Sequence, residues 1–264
     1  MAQHGRIMGH FYFDESIHER GAFIVGAFVY SPFDLGPSID AVVTSVGLTP
    51  RMDEFKSNAN MLSNPVARML RSGIGCLLSS SKVAVAILPR VDRNKLGQEA
   101  LKALTRLISA NDLSSESHSV YIDQGIKVSQ QDLAIISQQD PMLDVHPNQD
   151  SKLIPGIQVA DLAAHRASGM LLEQMGLVTK MVKAGPNSGY DPDLDIELGF
   201  ELWAGLRYPL FKQPKLFTGD EEDMIEAATY KVEGFGLFIA DSCDEGLRNA
   251  SLERFGSVYL GCIH

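Results

Sequence analysis

A chain of 264 residues, 45% hydrophobic and 21% charged, carries enough apolar material for a sizeable core in one large domain or two. Its three cysteines are odd in number and spread out, which argues against a disulfide framework and fits a reducing compartment, read as the cytoplasm. The net charge of -10 argues at first against a nucleic-acid partner, and the apolar stretch Ala22 to Tyr30 is too short to cross a bilayer, so neither a membrane nor an export leader is expected.

Gly9 to Asp14 is an aromatic, apolar run that closes on the pair Asp14-Glu15, so it reads as a buried strand delivering carboxylates to its end. Asp14 equally suits the start of a turn. After a short link from Ile17 to Gly21, Ala22 to Tyr30 reads as a second strand, which makes the opening an antiparallel hairpin. Pro37 to Val46 has the spacing of a short helix, and Glu54-Phe55-Lys56 follows it. Pro65 to Leu78 is an amphipathic helix with Val66, Met69, Leu70 and Leu77 in helical register. Lys82 to Leu88 is a strand stopped by Pro89, and Leu96 to Ile108 a helix.

Ser119 to Asp123 is another strand that ends on an acid. Gln130 to Gln138 reads as a helix, Met142 to His146 as a strand, and Pro155 to Leu172 as a helix with proline in its first turn. Strands and helices alternating after a hairpin imply a mixed sheet covered by helices. From residue 181 onward the texture changes. A Gly/Pro/Asn/Asp loop, a helix from Ile196 to Leu206, a strand from Gly234 to Ala240 and a helix from Asp244 to Phe255 read as a C-terminal α+β subdomain (181–264) appended to a domain over 1–180.

Acids at Asp14, Glu54, Asp123 and Asp161 come from separate elements. On the Pro155–Leu172 helix, Gln158, Asp161 and His165 share one face at i, i+3 and i+7. Carboxylate-dominated sites suit Mg²⁺ or Mn²⁺, and two such ions about 4 Å apart can activate a water on a phosphodiester. Each acid alone is accounted for by a cap or a surface ion pair; together they depend on the fold bringing them to one place. Charge is also unevenly spread: from Arg51 to Arg106, ten Lys or Arg stand against four Asp or Glu. That segment reads either as a phosphate-facing surface or as a solvated helical face. A calcium-loop reading of Asp191, Asp193 and Asp195 fails because the glycine position holds Ile196, and Gly234-x-Gly236 lacks its third glycine.

Phe11-Tyr12-Phe13-Asp14-Glu15-Ser16, Glu54-Phe55-Lys56, Val120-Tyr121-Ile122-Asp123 and Pro155-Gly156-Ile157-Gln158-Val159-Ala160-Asp161-Leu162 resemble the four signatures of domain of unknown function 3800. The resemblance covers residues 8 to 172 and implies a ribonuclease-H-like core with a Mg²⁺ or Mn²⁺ site and nucleic acid, RNA or DNA, as substrate. Asp14, Glu54, Asp123 and Asp161 would then be ligands. Lys56 would contact a phosphate, and Gln158 and His165 would lie at the substrate. Gln124 departs from the acid or small residue usual after the third signature, and Glu54 precedes the third strand, where ribonuclease H places its glutamate after it. The other reading is a ribonuclease-H-like binding or regulatory protein without turnover, in a defence or mobile-element system.

Overall fold

The opening hairpin is longer than its sequence suggests. In a computed structural model that describes residues 8–59, 63–184, 190–215 and 224–261, β1 (Met8–His18) runs past Asp14 and pairs antiparallel with β2 (Phe23–Ser31) as far as His18 opposite Phe23. Asp14 therefore lies inside the strand, not at its end, because the apolar β2 partners the whole lower half of β1. β3 (Lys82–Pro89) continues the sheet antiparallel to β2. On the other side of β1, β4 (Ser117–Asp123) runs parallel, and their last aligned pair is Phe13 with Ile122. The next residue on each strand is an acid, Asp14 and Asp123. β5 (Leu143–Gln149) pairs parallel to β4 and tolerates Pro147 because it is an edge strand.

Strand alternation divides the core in two. Tyr12, Val25, Ala27 and Val85 face α1 (Gly36–Ser45), α2 (Pro65–Ser79) and α5 (Gly156–Gln174). Phe11, Phe13, Ile24, Phe28 and Ala84 face α3 (Leu96–Ala110), with α4 (Gln130–Gln139) beside it. Asp14, two residues after Tyr12, and Asp123, two after Tyr121, fall on the α5 face. Gly156 starts α5 directly over Tyr12: a Cβ there would stand 2.2 Å from the tyrosine ring. That contact is a physical reason for glycine at this position. Tyr12 is fully buried and its hydroxyl is satisfied, donating to Asp34 (2.9 Å) and accepting from the Leu35 amide (3.1 Å).

The buried face of α2 differs from the predicted one. Leu70, Ile74 and Leu78 are buried, whereas Val66 and Met69 are exposed. Two overlapping apolar stripes share Leu70, and contact with α5 selects the second.

C-terminal to α5 come the ribbon of β6 (Met181–Lys183) and β7 (Asp195–Glu197), then α6 (Leu198–Leu206), α7 (Met224–Ala228) and β8 (Thr229–Lys231). β9 (Leu237–Ile239), α8 (Glu245–Phe255) and β10 (Ser257–Tyr259) complete the described chain. This segment packs α6 and α8 against α5, and its β9 joins the main sheet parallel to β3. The sheet order is β5-β4-β1-β2-β3-β9, a mixed sheet flanked by helices whose first five strands have the ribonuclease-H-like order and sense. The acidic run from Asp220 to Asp223 lies outside the described residues.

Candidate active site

Register alone sets Asp14 beside Asp123, since each follows the last paired residues of two parallel neighbours. α5 crosses this face and brings Asp161 to the same side. Asp14 is largely shielded from water and feels Asp123, Asp161 and Glu15. Burial and these like charges push its carboxyl up to about 9, although the Glu15 amide donates to it at 2.7 Å. Burial also raises Asp123 to about 6 despite the opposing Lys56. Asp123 Oδ1 and Glu15 Oε2 are buried with no hydrogen-bond partner among the described residues. Carboxylates crowded in this way, with orphaned oxygens, are a donor set that fits a hard divalent cation.

The side chains are not gathered around a single point. Among the described residues, no three Asp, Glu, His or Cys side chains stand close enough to share one ion. Asp161 turns toward Ser57, accepting from its amide at 2.8 Å and from its hydroxyl. Glu54 turns toward Ser151, whose hydroxyl donates to it at 2.6 Å, and pairs with Lys56 at 3.3 Å. For Lys56, burial pulls the pKa down, but Glu54 and then Asp123 and Asp161 outweigh it and raise it. The ammonium thus lies in the field of three of the four predicted ligands.

Gln158 departs from its predicted role at the substrate. It is 2% exposed and its amide is already engaged, accepting from the Phe55 amide (2.8 Å) and donating to the Ser151 carbonyl (2.9 Å). It braces the loop that carries Glu54, Lys56 and Ser57. His165, one turn beyond Asp161, has its pKa lowered by burial and then by Arg71, so it is neutral at pH 7. Below it, Ser168 bonds both His18 (2.9 Å) and Ser16 (3.1 Å).

The basic segment does not form one surface. Lys56 and Arg71 act on the acids and Arg93 on Glu15, but Arg90 pairs with Glu19, Lys95 with Asp92 and Lys102 with Glu99, while Arg106 lies over Phe238. Pairing with local acids leaves the segment mostly solvated. Sequence reading named Glu15 only as the partner of Asp14 and missed Ser57, Ser151 and Arg71. Glu15 lies within the first signature and Ser57 adjoins the second, so their neighbourhood was a usable signal; Ser151 and Arg71 gave none.

The proton balance makes a prediction. Asp14 and Asp123 hold protons in the folded chain above the pH at which the unfolded chain releases them. Stability of the metal-free protein therefore falls as pH rises from about 4 to about 9, by on the order of a few kcal/mol. Urea unfolding in EDTA across this range measures it, and a flat or rising profile would contradict the placement of the acids.

No family model matches the sequence, and no curated protein matches it. Among solved structures, the chain is similar to one in the complex of PCNA with RNase HII from Archaeoglobus fulgidus. The TM-score is 0.39 and the identity 14%, over 70% of this chain and 83% of that one, a likeness too slight to bear on function. Among the described residues no helix is long and apolar enough to cross a membrane.

Proposed function

We propose that this protein is a divalent-metal-dependent nuclease, of the kind its resemblance to domain of unknown function 3800 implies. The observation that carries the reading is the adjacency of Asp14 and Asp123 across two parallel strands, on the face where α5 adds Asp161. Three crowded carboxylates without a cation cost stability, so their arrangement favours a role in binding one. Asp14 and Asp123 would hold Mg²⁺ or Mn²⁺, with Asp161 and Glu54 completing the set once they leave Ser57, Ser151 and Lys56. The bound metal would supply a Lewis acid and a water of lowered pKa. Lys56 would hold a non-bridging phosphate oxygen, and neutral His165 could accept or return a proton at its ring nitrogen.

A second reading has one observation in its favour. Asp161 and Glu54 are engaged by Ser57, Ser151 and Lys56, which suits a ribonuclease-H-like protein that binds nucleic acid without turnover. Incubating the protein with labelled RNA, DNA and hybrid strands, with Mn²⁺, Mg²⁺ or EDTA, separates the two. Cleavage only with a divalent ion, together with a Mn²⁺-dependent rise in melting temperature, is the expected result. Neither cleavage nor a melting shift would leave the binding protein as the better account.

A further inference from the structure

Beside the acids a second feature is built from cations. A cavity of about 610 Å³ lies among α2, α5 and α6, and Arg68, Arg71, Arg166 and Lys180 line it with His18 and His165. Glu201 is the single carboxylate among its lining residues. Among the described residues, no acid comes within ion-pair distance of Arg71 or Arg166. Arg166 projects from α5 between two other helices. A Cβ on Gly75 of α2 would stand 3.0 Å from one guanidinium nitrogen, and a Cβ on Gly205 of α6 would stand 2.9 Å from the other. Gly75, in the middle of α2, costs about 1 kcal/mol relative to alanine, and Gly205 stands in the last turn of α6. Two glycines facing one guanidinium make a slot.

Arg71 and Arg166, both half-buried, share one lining carboxylate, Glu201, and such a pair of guanidiniums is stabilised by an anion from outside. The cavity adjoins the proposed catalytic acids: His165 is one turn beyond Asp161, and Arg71 donates to the carbonyl of Ser57 (3.5 Å), whose amide holds Asp161. Leu172, Val178, Leu198 and Leu202 give it an apolar stretch of wall, with Ser72 and Ser168 as hydroxyls beside it, which suits a sugar and a base. A phosphate monoester carries nearly two charges at neutral pH, against one for a diester in the chain. We infer that this cavity takes the phosphorylated terminal nucleotide of a strand, with Arg71 and Arg166 on its phosphate. The inference rests on the nuclease reading only for the nature of the polymer.

Calorimetric titration of the whole protein in EDTA with trinucleotides bearing a 5′-phosphate, a 3′-phosphate or neither tests it without requiring cleavage. One phosphorylated form should bind at least about tenfold more tightly than the unphosphorylated one. That preference should disappear in Arg71→Gln and Arg166→Gln. Circular dichroism melts check that the variants fold. If Arg166→Gln does not, Arg71→Gln and Lys180→Gln carry the comparison. Equal affinity for all three trinucleotides, or a preference that survives the arginine substitutions, would overturn the assignment. A phosphate preference in a protein that cleaves nothing would overturn only the nuclease reading.

Discussion

Asp14→Asn is expected to abolish divalent-dependent cleavage, lowering kcat by at least about a hundredfold. Asparagine keeps the shape, and its carbonyl oxygen can still accept from the Glu15 amide that bonds Asp14 at 2.7 Å. What it removes is the charge that would hold a hard cation. The stability effect should run the other way and depend on pH. With its carboxyl held up at about 9 in the folded chain against 3.8 in the unfolded one, Asp14 is protonated in both states only below about pH 4, so variant and parent should unfold alike there. At higher pH the parent's unfolded chain releases a proton that its folded chain keeps, and the variant has none to release, so metal-free Asp14→Asn should be more stable, by on the order of 1–3 kcal/mol near pH 8. Added Mn²⁺ should raise the melting temperature of the parent and barely move the variant. Urea unfolding at both pH values, with a cleavage assay beside it, measures all three effects. A variant that still cleaves removes Asp14 from the mechanism.

The largest loss of stability is expected at Gln158, a residue with no proposed contact to substrate. Gln158→Met keeps the length of the side chain and deletes both hydrogen bonds. The Phe55 amide and the Ser151 carbonyl are then left unpartnered, next to residues only 2% and 3% exposed. Two orphaned backbone groups cost about 2–4 kcal/mol together. The loop from Glu54 to Ser57 would lose its brace, and with it the placement of Lys56 and of the Ser57 donors on Asp161. Faster amide exchange at Phe55 and Ser57, alongside a lower urea midpoint, is the expected signature. A destabilisation below about 1 kcal/mol with unchanged exchange would show that the loop is held by other contacts.

These residues also mark where the sequence was legible. Apolar runs ending on an acid, Phe11–Asp14 and Val120–Asp123, identified two strands, but that both acids share one face followed only from the register of β1 with β4. Helical spacing placed Asp161 and His165 together. It could not show that Gln158, on the same stripe, points into protein instead of solvent, since polarity does not reveal which donors a neighbour offers. Glu54, Lys56 and Ser57 lie between α1 and α2 outside any helix or strand, so no period gives their direction. Only contacts with residues about 100 positions away fix them. The same holds for β9: a three-residue apolar run signals a strand but not its partner.

That last pairing bears on how the protein is made. β3 is complete by Pro89, whereas β9, which closes its outer edge, begins at Leu237. A ribosome adding about 5–20 residues per second leaves that edge open for many seconds while the intervening chain emerges. The short bridge from Val83 to Leu210 arrives earlier and shields one end, but the stretch from Val85 to Ile87 waits for the C-terminal segment. An unpaired, apolar edge on a nascent chain is a template for the wrong strand, so release before residue 237 should yield aggregates, not a smaller working core.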